Sequence, residues 1–381
     1  MTRPRIEIVY GTRPEAVKCA PLVAELIARE GVDTIVTVTG QHRAMTDEVN
    51  DYFAIRPDAD LDVFRADSTL AQTAPRIFAA LSERWSRDAP DAVVVQGDTA
   101  SAALAAVAAH YAKALVIHLE AGLRSGDLFS PFPEEGNRRL ITSLASLHLA
   151  PTDLAAGNLL AEGVPAENVV VTGNTGIDAL YRQRAHPQPF DDPAIELALE
   201  HYPRLVLVTM HRRESWGGGL AEVTRGVADT IASRTDTVAV IPLHPNPLVR
   251  GEVGAAVAGA PRVVLCDALP YAQFGRLLAR AHCVVTDSGG VQEEAPALGV
   301  PVLVARDRTE RGEGLAAGAA RLVGTDRANV SAALASVLDD DAVHASMSRA
   351  VELYGDGRAA VRAADAIETL LGVTQRRPAA A

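Results

Sequence analysis

The chain has 381 residues, 48% apolar and 22% charged, the balance of an ordinary soluble globular protein with length for two or three domains. A net charge of −12 with no basic run longer than an arginine pair argues against nucleic-acid or membrane partners, and 4% aromatics against stacking on single strands. Three cysteines without metal-ligand spacing, no signal-peptide pattern and no apolar stretch of membrane-spanning length point to a soluble protein of the reducing cytoplasm.

Arg5 to Tyr10 reads as a strand, and Gly11-Thr12-Arg13-Pro14-Glu15 leads at once into a helical period from Ala16 to Arg29. Strand, glycine turn and helix match the first βα unit of a nucleotide-binding fold, with Arg13 and Lys18 near a helix N-terminus that suits a phosphate, and equally match a plain turn with exposed charges. Thr34–Val38 is the second strand, ending at Thr39-Gly40-Gln41-His42-Arg43, and Leu61, Val63 and Phe64 suggest a further short one. An amphipathic helix from Thr69 to Trp85 precedes the apolar strand Ala92–Val95. That strand stops at Gln96-Gly97-Asp98-Thr99, before an alanine-rich helix over 100–112. Asp98 stands where an α/β enzyme reaches its substrate, and equally where a plain N-cap would stand.

Residues 118–139 follow a buried strand at Ala114–Ile117 and carry Glu120, Asp127, Glu134 and Glu135 among Arg124, Arg138 and Arg139. Pro131 and Pro133 stiffen the second half of this loop, and Pro133 suits a helix start. Carboxylates held near arginines at a strand end have the composition of an acid/base site; the alternative is a solvated charged loop. Leu140 to Leu149 runs from helix into strand, a helix starts at Pro151-Thr152-Asp153, and Val169–Val171 is a strand that stops at Thr172-Gly173-Asn174. Strand–helix alternation restarts beyond the proline-rich stretch 187–193, so a domain boundary is expected between 173 and 200.

In the second half, Leu205–Thr209 ends at a loop gathering His211, Arg212 and Arg213 with three glycines. Val238–Pro242 ends at His244-Pro245-Asn246-Pro247, and Val263–Leu265 precedes a helix over 272–280. His282–Val285 leads into Thr286-Asp287-Ser288-Gly289-Gly290, where Ser-Gly-Gly at a helix start offers N–H groups and the positive dipole end to an anion. Glu293 and Glu294 come one turn later, placed to accept from sugar hydroxyls. Val302–Ala305 is a strand before Arg306–Arg311, and helices fill 327–371. The predicted fold class is α/β, two doubly wound Rossmann-type domains facing a central cleft.

Several of these segments together resemble the non-hydrolysing UDP-N-acetylglucosamine 2-epimerases. The stretches that carry the resemblance are GTRPEAVKCAPL (11–22), TGQHRAMTDEV (39–49), QGDT (96–99), HLEAGLRSGDLFSPFPEEGNR (118–138), VTGNTGIDAL (171–180), HRRESWGGG (211–219), HPNP (244–247), TDSGGVQEEAPALGVPVLVARDRTER (286–311) and YGDG (354–357). They run in order along most of the chain. The resemblance implies a GT-B-like fold, with residues 1–175 and a returning 360–381 in one domain and 176–359 in the other. It implies an isomerase that interconverts UDP-N-acetylglucosamine and UDP-N-acetylmannosamine at C2. Hydrolytic release of UDP and N-acetylmannosamine, or glycosyl transfer on the same fold, are the alternatives.

By motif match, the acid/base carboxylates fall on Asp98, Glu120 and Glu134, with Arg138 beside them. Ser288, Gly289 and Gly290 would hold the UDP phosphates and Glu294 the ribose, while His211 and Arg13 reach the diphosphate from opposite sides of the cleft. Lys18, Arg212, His244, Phe274 and Arg311 complete the implied substrate set, with no cofactor and no metal. An activator site for a second UDP-N-acetylglucosamine falls on Gln41, His42 and Arg43. There Ala44 and Asp67 depart from the family's polar and basic pattern, as Met210 departs from its usual glycine. The resemblance also implies a homodimer whose small-molecule partner is a UDP-sugar.

Overall fold

Val93, Val94 and Val95 are all completely buried, as are Val206 and Leu207, so these runs have no face to give to water. Such strands belong in the middle of parallel sheets with helices on both faces. The computed structural model describes residues 3–41, 43–65, 68–210, 218–244, 246–349 and 352–373. In it the chain divides into two compact units, Met1–Ala179 with Tyr354–Ala381, and Leu180–Leu353.

The first unit is built on β1 (Arg5–Tyr10), β2 (Asp33–Val38), β3 (Ala59–Asp60), β4 (Ala92–Gln96), β5 (Leu115–Leu119), β6 (Leu147–Ala150) and β7 (Val169–Val171). All pair in parallel, in the order β3-β2-β1-β4-β5-β6-β7. One buried charge interrupts the apolar pattern of β1. Glu7 is satisfied there by the Thr37 hydroxyl at 2.6 Å, Arg84 Nε at 2.9 Å and Trp85 Nε1 at 3.0 Å. The second unit contains β8 (Arg204–Thr209), β9 (Thr237–Pro242), β10 (Val263–Cys266), β11 (Cys283–Thr286), β12 (Val302–Val304) and β13 (Ala320–Leu322). These are also parallel, in the order β10-β9-β8-β11-β12-β13. Successive residues of β8 point to opposite faces: Leu205 and Leu207 enter one core, Val206 and Val208 the other. Both units are thus α/β and doubly wound. Each sheet reverses its strand order once, between β1 and β4 and between β8 and β11, and α/β folds bind ligands beside such reversals.

Three local expectations shift. The third strand is Ala59–Asp60, pairing with Thr37 and Val38, while Val63 turns its side chain into the core without joining a ladder. Strand β13 and the helices Pro193–His201 and Pro247–Ala256 were not expected, being short or closely bounded by proline. The chain returns to the first unit at Tyr354 rather than 360. Tyr354 O accepts from Asn174 N at 2.6 Å, and the Asp178 carboxylate caps helix Ala359–Leu370 through Ala359 N at 3.2 Å and Ala360 N at 2.9 Å. Arg29 then grips that helix through Asp365 at 2.8 Å and Glu368 at 2.6 Å.

The crossing needs glycine at 173. Gly173 has φ +88°, and a Cβ there would lie 3.2 Å from Gly355 Cα and 3.4 Å from Ala359 Cβ. Gly173→Ala is expected to destabilise the protein by about 1–3 kcal/mol through the left-handed backbone alone. Chemical denaturation measures this, and an unchanged midpoint would show that the close crossing is dispensable.

Candidate active site

Strands β4 and β5 are paired neighbours, so the turns leaving their carboxyl ends lie side by side. Both bend through left-handed backbone, Gly97 at φ +68° and Glu120 at φ +66°. Between them His118 Nε2 meets Gly97 O at 2.8 Å, and Gly97 N donates to Leu119 O at 3.0 Å. A carbonyl only accepts, so the imidazole proton is on Nε2. Nδ1 of His118 is buried without a hydrogen-bond partner, and burial pushes the ring's pKa down to about 3. His148, its register partner on β6, is lowered to about 4 by the same cause. Both rings are neutral struts.

The expected carboxylates gather at these turns. Asp98 Oδ2 accepts from Arg138 Nε at 2.8 Å and Nη2 at 2.6 Å, and Asp98 O accepts from Asn137 Nδ2 at 2.8 Å. Arg138 is only 4% exposed, and its Nη1 donates to the fully buried Glu135 at 3.1 Å. Glu135 also accepts from Ser125 N at 3.0 Å and Arg139 Nε at 3.3 Å. Burial pushes the Glu135 carboxyl up, but the Ser125 N–H and the two guanidiniums outweigh it and hold the group below the usual carboxylate range. Glu120 is paired with Lys18 and accepts from Asn174 Nδ2 at 3.1 Å. Lys18, expected near a phosphate, has its ammonium beside Glu120, one turn into helix Arg13–Ala28. Glu134 is half-buried at the first position of helix Glu134–Leu144, in the same loop-to-helix segment as Arg138. Arg13 begins helix Arg13–Ala28, half-buried and in no ion pair among the described residues.

In the second unit Ser288 stands at the N-cap of helix Gly289–Ala297 but makes no side-chain bond to it. The first-turn N–H groups and the positive dipole end are thereby left for an anion. Arg311 lies over this turn: a Cβ at Gly289 would come 3.1 Å from its Cζ. Its guanidinium is set by Glu293 Oε1 at 2.9 Å and by Glu310, while Thr309 donates to Gln292 at 2.6 Å and knits the loop down. Glu293, expected to stand open to a sugar hydroxyl, is 3% exposed and committed to Arg311. Glu294 is half-buried one residue on. His244 Nδ1 accepts from Asn246 N at 3.1 Å, and Phe274 packs, partly buried, on the core of this unit. His211 and Arg212 lie outside the described residues, as do His42 and Asp67.

The other residues expected at an activator site are tied to their own unit. Arg43 is forked by Asp60 and by Asp62, the latter at 2.8 Å, and Gln41 Oε1 accepts from the Ser101 hydroxyl at 3.4 Å. The sequence assigned no role to Glu15 and counted Glu135 only among the loop's acid/base candidates, not as the residue that holds Arg138. Available signals were the Thr12-x-x-Glu15 capping pattern and the spacing of Glu135 to Arg138 and Arg139, three and four residues along a helix.

Two parallel sheets, each with one reversal of strand order and polar turns at its carboxyl ends, define an α/β protein of the doubly wound, nucleotide-binding class. The family described as UDP-N-acetylglucosamine 2-epimerase matches residues 24–368. The UDP-N-acetylglucosamine 2-epimerase of Escherichia coli is 42% identical over 370 residues, covering 96% of this chain and 98% of that protein. A crystal structure from Listeria monocytogenes is 41% identical with a TM-score of 0.93, covering 99% of both chains. The UDP-GlcNAc 2-epimerase of Neisseria meningitidis, solved bound to UDP-GlcNAc, is 37% identical with a TM-score of 0.89, covering 97% of this chain and all of that one. The chain belongs to the UDP-N-acetylglucosamine 2-epimerase family, and its fold is the GT-B-like one of those structures.

The neutral histidines have a measurable consequence. With folded pKa values of about 3 and about 4 against an ordinary 6.5, His118 and His148 bind fewer protons folded than unfolded. Their contribution is complete above pH 6.5 and is lost as pH falls, down to about 4 for His148 and about 3 for His118. At pH 5 the loss at His118 is about 2 kcal/mol. His118→Gln keeps a donor for Gly97 O and does not titrate, so its melting temperature should fall less between pH 7 and pH 5 than that of the native chain. Parallel slopes would show that His118 charges freely in the folded state.

Proposed function

We propose that this chain interconverts UDP-N-acetylglucosamine and UDP-N-acetylmannosamine by inversion at C2, through elimination and re-addition of UDP. The observation that carries the reading is the placement of Asp98 and Glu120. They leave adjacent strand ends, each held by a cation, with Glu134 opening the next helix of the same unit. Family membership supports the substrate.

The chemistry explains why several carboxylates are wanted. C2 of the sugar has no neighbouring carbonyl, so proton removal alone would leave an unstabilised carbanion. Expulsion of UDP solves this: the C2–H electrons become a C1=C2 bond, the C1–O electrons leave with UDP, and a 2-acetamidoglucal remains. A proton then returns to C2 on the opposite face, and the UDP oxygen re-forms its bond at C1. Removal on one face and return on the other call for groups on both, and Asp98, Glu120 and Glu134 supply them. Arg138 and Lys18 fix the directions of the first two. The second unit binds UDP through Ser288, Gly289 and Gly290, with Arg311 over the turn and Glu294 at the ribose. Arg13, His211 and Arg212 offset the charge of the departing diphosphate. His244 and Phe274 complete the nucleotide contacts.

A homodimer in the cytoplasm belongs to the same reading. The resemblance supports the first. Three buried free cysteines, and the lack among the described residues of a helix long and apolar enough to cross a membrane, accord with the second.

A proton NMR time course of UDP-N-acetylglucosamine in heavy water tests the reaction. UDP-N-acetylmannosamine carrying deuterium at C2 should accumulate. Free N-acetylmannosamine with UDP would instead show hydrolysis, and an unchanged spectrum would show binding without turnover. Asp98→Asn, Glu120→Gln and Glu134→Gln should each lower turnover by about 100-fold or more, since an amide keeps the shape but cannot take a proton. Each should still bind UDP by calorimetry. Near-native rates in two of the three would remove the carboxylates from the mechanism.

Activation by a second nucleotide sugar is expected to be weak, because Asp60 and Asp62 already occupy Arg43 and oppose a diphosphate there. With UDP-N-acetylmannosamine as substrate, reaction should start without a lag. A lag abolished by a trace of UDP-N-acetylglucosamine would show a working activator site.

A further inference from the structure

The first sheet reverses its strand order between β1 and β4, and the turns leaving those two strands carry Arg13 and Asp98. One side chain ties the turns together. Glu15, 1% exposed, accepts at Oε2 from Gly11 N at 3.1 Å, Thr12 N at 2.8 Å and Thr12 Oγ1 at 2.7 Å. Its Oε1 accepts from Thr99 Oγ1 at 2.6 Å, a residue 84 positions along the chain and next to Asp98. All four partners donate, so the pocket is shaped for a group that only accepts, a carboxylate. Among the described residues no arginine or lysine pairs with it.

The bland reading is a capping box, and the box is present on helix Arg13–Ala28. Another helix of the same unit supplies the comparison. Helix Leu70–Arg87 begins with the same device, Thr69 and Gln72, and there both residues are exposed and bond only to each other's segment. Glu15 differs in its burial and in its fourth bond, which leaves its own helix for the Asp98 turn. The turns around it are equally tight: a Cβ at Gly11 would lie 2.0 Å from Thr39 Oγ1 and 2.8 Å from Ser101 Oγ. Neither turn can move without disturbing the other.

We propose that Glu15 is a positioning residue for the reaction: by locking the Arg13 turn to the Asp98 turn, it sets the placement of the diphosphate cation relative to the proton-transfer carboxylate. This rests on the roles proposed above for Arg13 and Asp98. Gln cannot replace it fully. One amide oxygen can serve the three donors at Oε2, but the NH2 group then meets Thr99 Oγ1 as a donor, so the charge-assisted bond to the Asp98 turn is replaced by a weaker neutral one of reversed direction.

The experiment compares Glu15→Gln, Thr99→Val, their double variant, Thr99→Ser and, as a capping control, Gln72→Ala. Turnover of UDP-N-acetylglucosamine is followed by NMR, and hydrogen exchange by mass spectrometry over segments 8–20 and 92–103. Glu15→Gln and Thr99→Val should each lower kcat by about 10- to 100-fold with little change in KM, as displaced reacting groups do. The double variant should fall no further than the worse single one, because both cut the same link. Thr99→Ser keeps the hydroxyl and should restore the rate, and Gln72→Ala should leave it unchanged. In Glu15→Gln both segments should exchange faster together, with the second unit unaffected. Native-like kcat in Glu15→Gln, or losses that multiply in the double variant, would overturn the proposal. If the native chain turns over no UDP-sugar, the functional reading fails but the exchange arm still decides. Loosening of both turns upholds the lock, and loosening confined to 8–20 reduces Glu15 to an ordinary cap.

Discussion

The candidate site of the first unit depends on one buried guanidinium. Arg138 is held from behind by Glu135 and reaches forward to Asp98 with two nitrogens, so its two-pronged grip fixes where the Asp98 carboxylate points. The Arg138–Glu135 pair, buried on both sides, adds little net stability, yet removing one partner costs about 3–5 kcal/mol by stranding a charge. Geometry is what it supplies. Glu135 also takes the Ser125 N–H, so the same carboxylate that aims Arg138 folds the loop leading to Glu134. Asp98 and the loop are therefore set by a single buried network, while Glu120 is held separately by Lys18 and Asn174.

The second unit repeats the principle with other residues. Arg311 is buried between Glu293 and Glu310 and laid over Gly289, where the absence of a Cβ makes room for its plane. In both units the arginine is oriented by carboxylates on its own unit before any ligand arrives. Preorganisation of this kind lowers the cost of ordering charged groups during binding and reaction. At these two positions a planar fork suits the paired carboxylates better than an ammonium would.

The burial of both sheets on both faces has a further consequence. A charged group fits mid-strand only when it is matched by partners, as Glu7 shows with its three donors. Function is displaced to the strand ends, where Gly97 and Glu120 adopt left-handed backbone and His118 braces the turn between them as a neutral ring. The sheets carry the buried core and the turns carry the candidate site.

Much of this was legible in the residues. Fully apolar strands alternating with helical periods state a doubly wound α/β fold, because period and burial are local properties. The turns at Asp98, Glu120 and Ser288 announced themselves as polar segments directly after such strands, and the ordered motifs named the family. What the sequence could not state was which groups meet. Lys18 reads as a phosphate ligand until β5 brings Glu120 beside it. Glu293 reads as open to a sugar until the loop after β12 returns Arg311 to it. Glu15 reads as a cap until β4, placed next to β1, brings Thr99 within reach. Each pairing joins residues far apart in the chain. It is decided by strand order and crossover, which follow from packing the whole domain rather than from any local pattern.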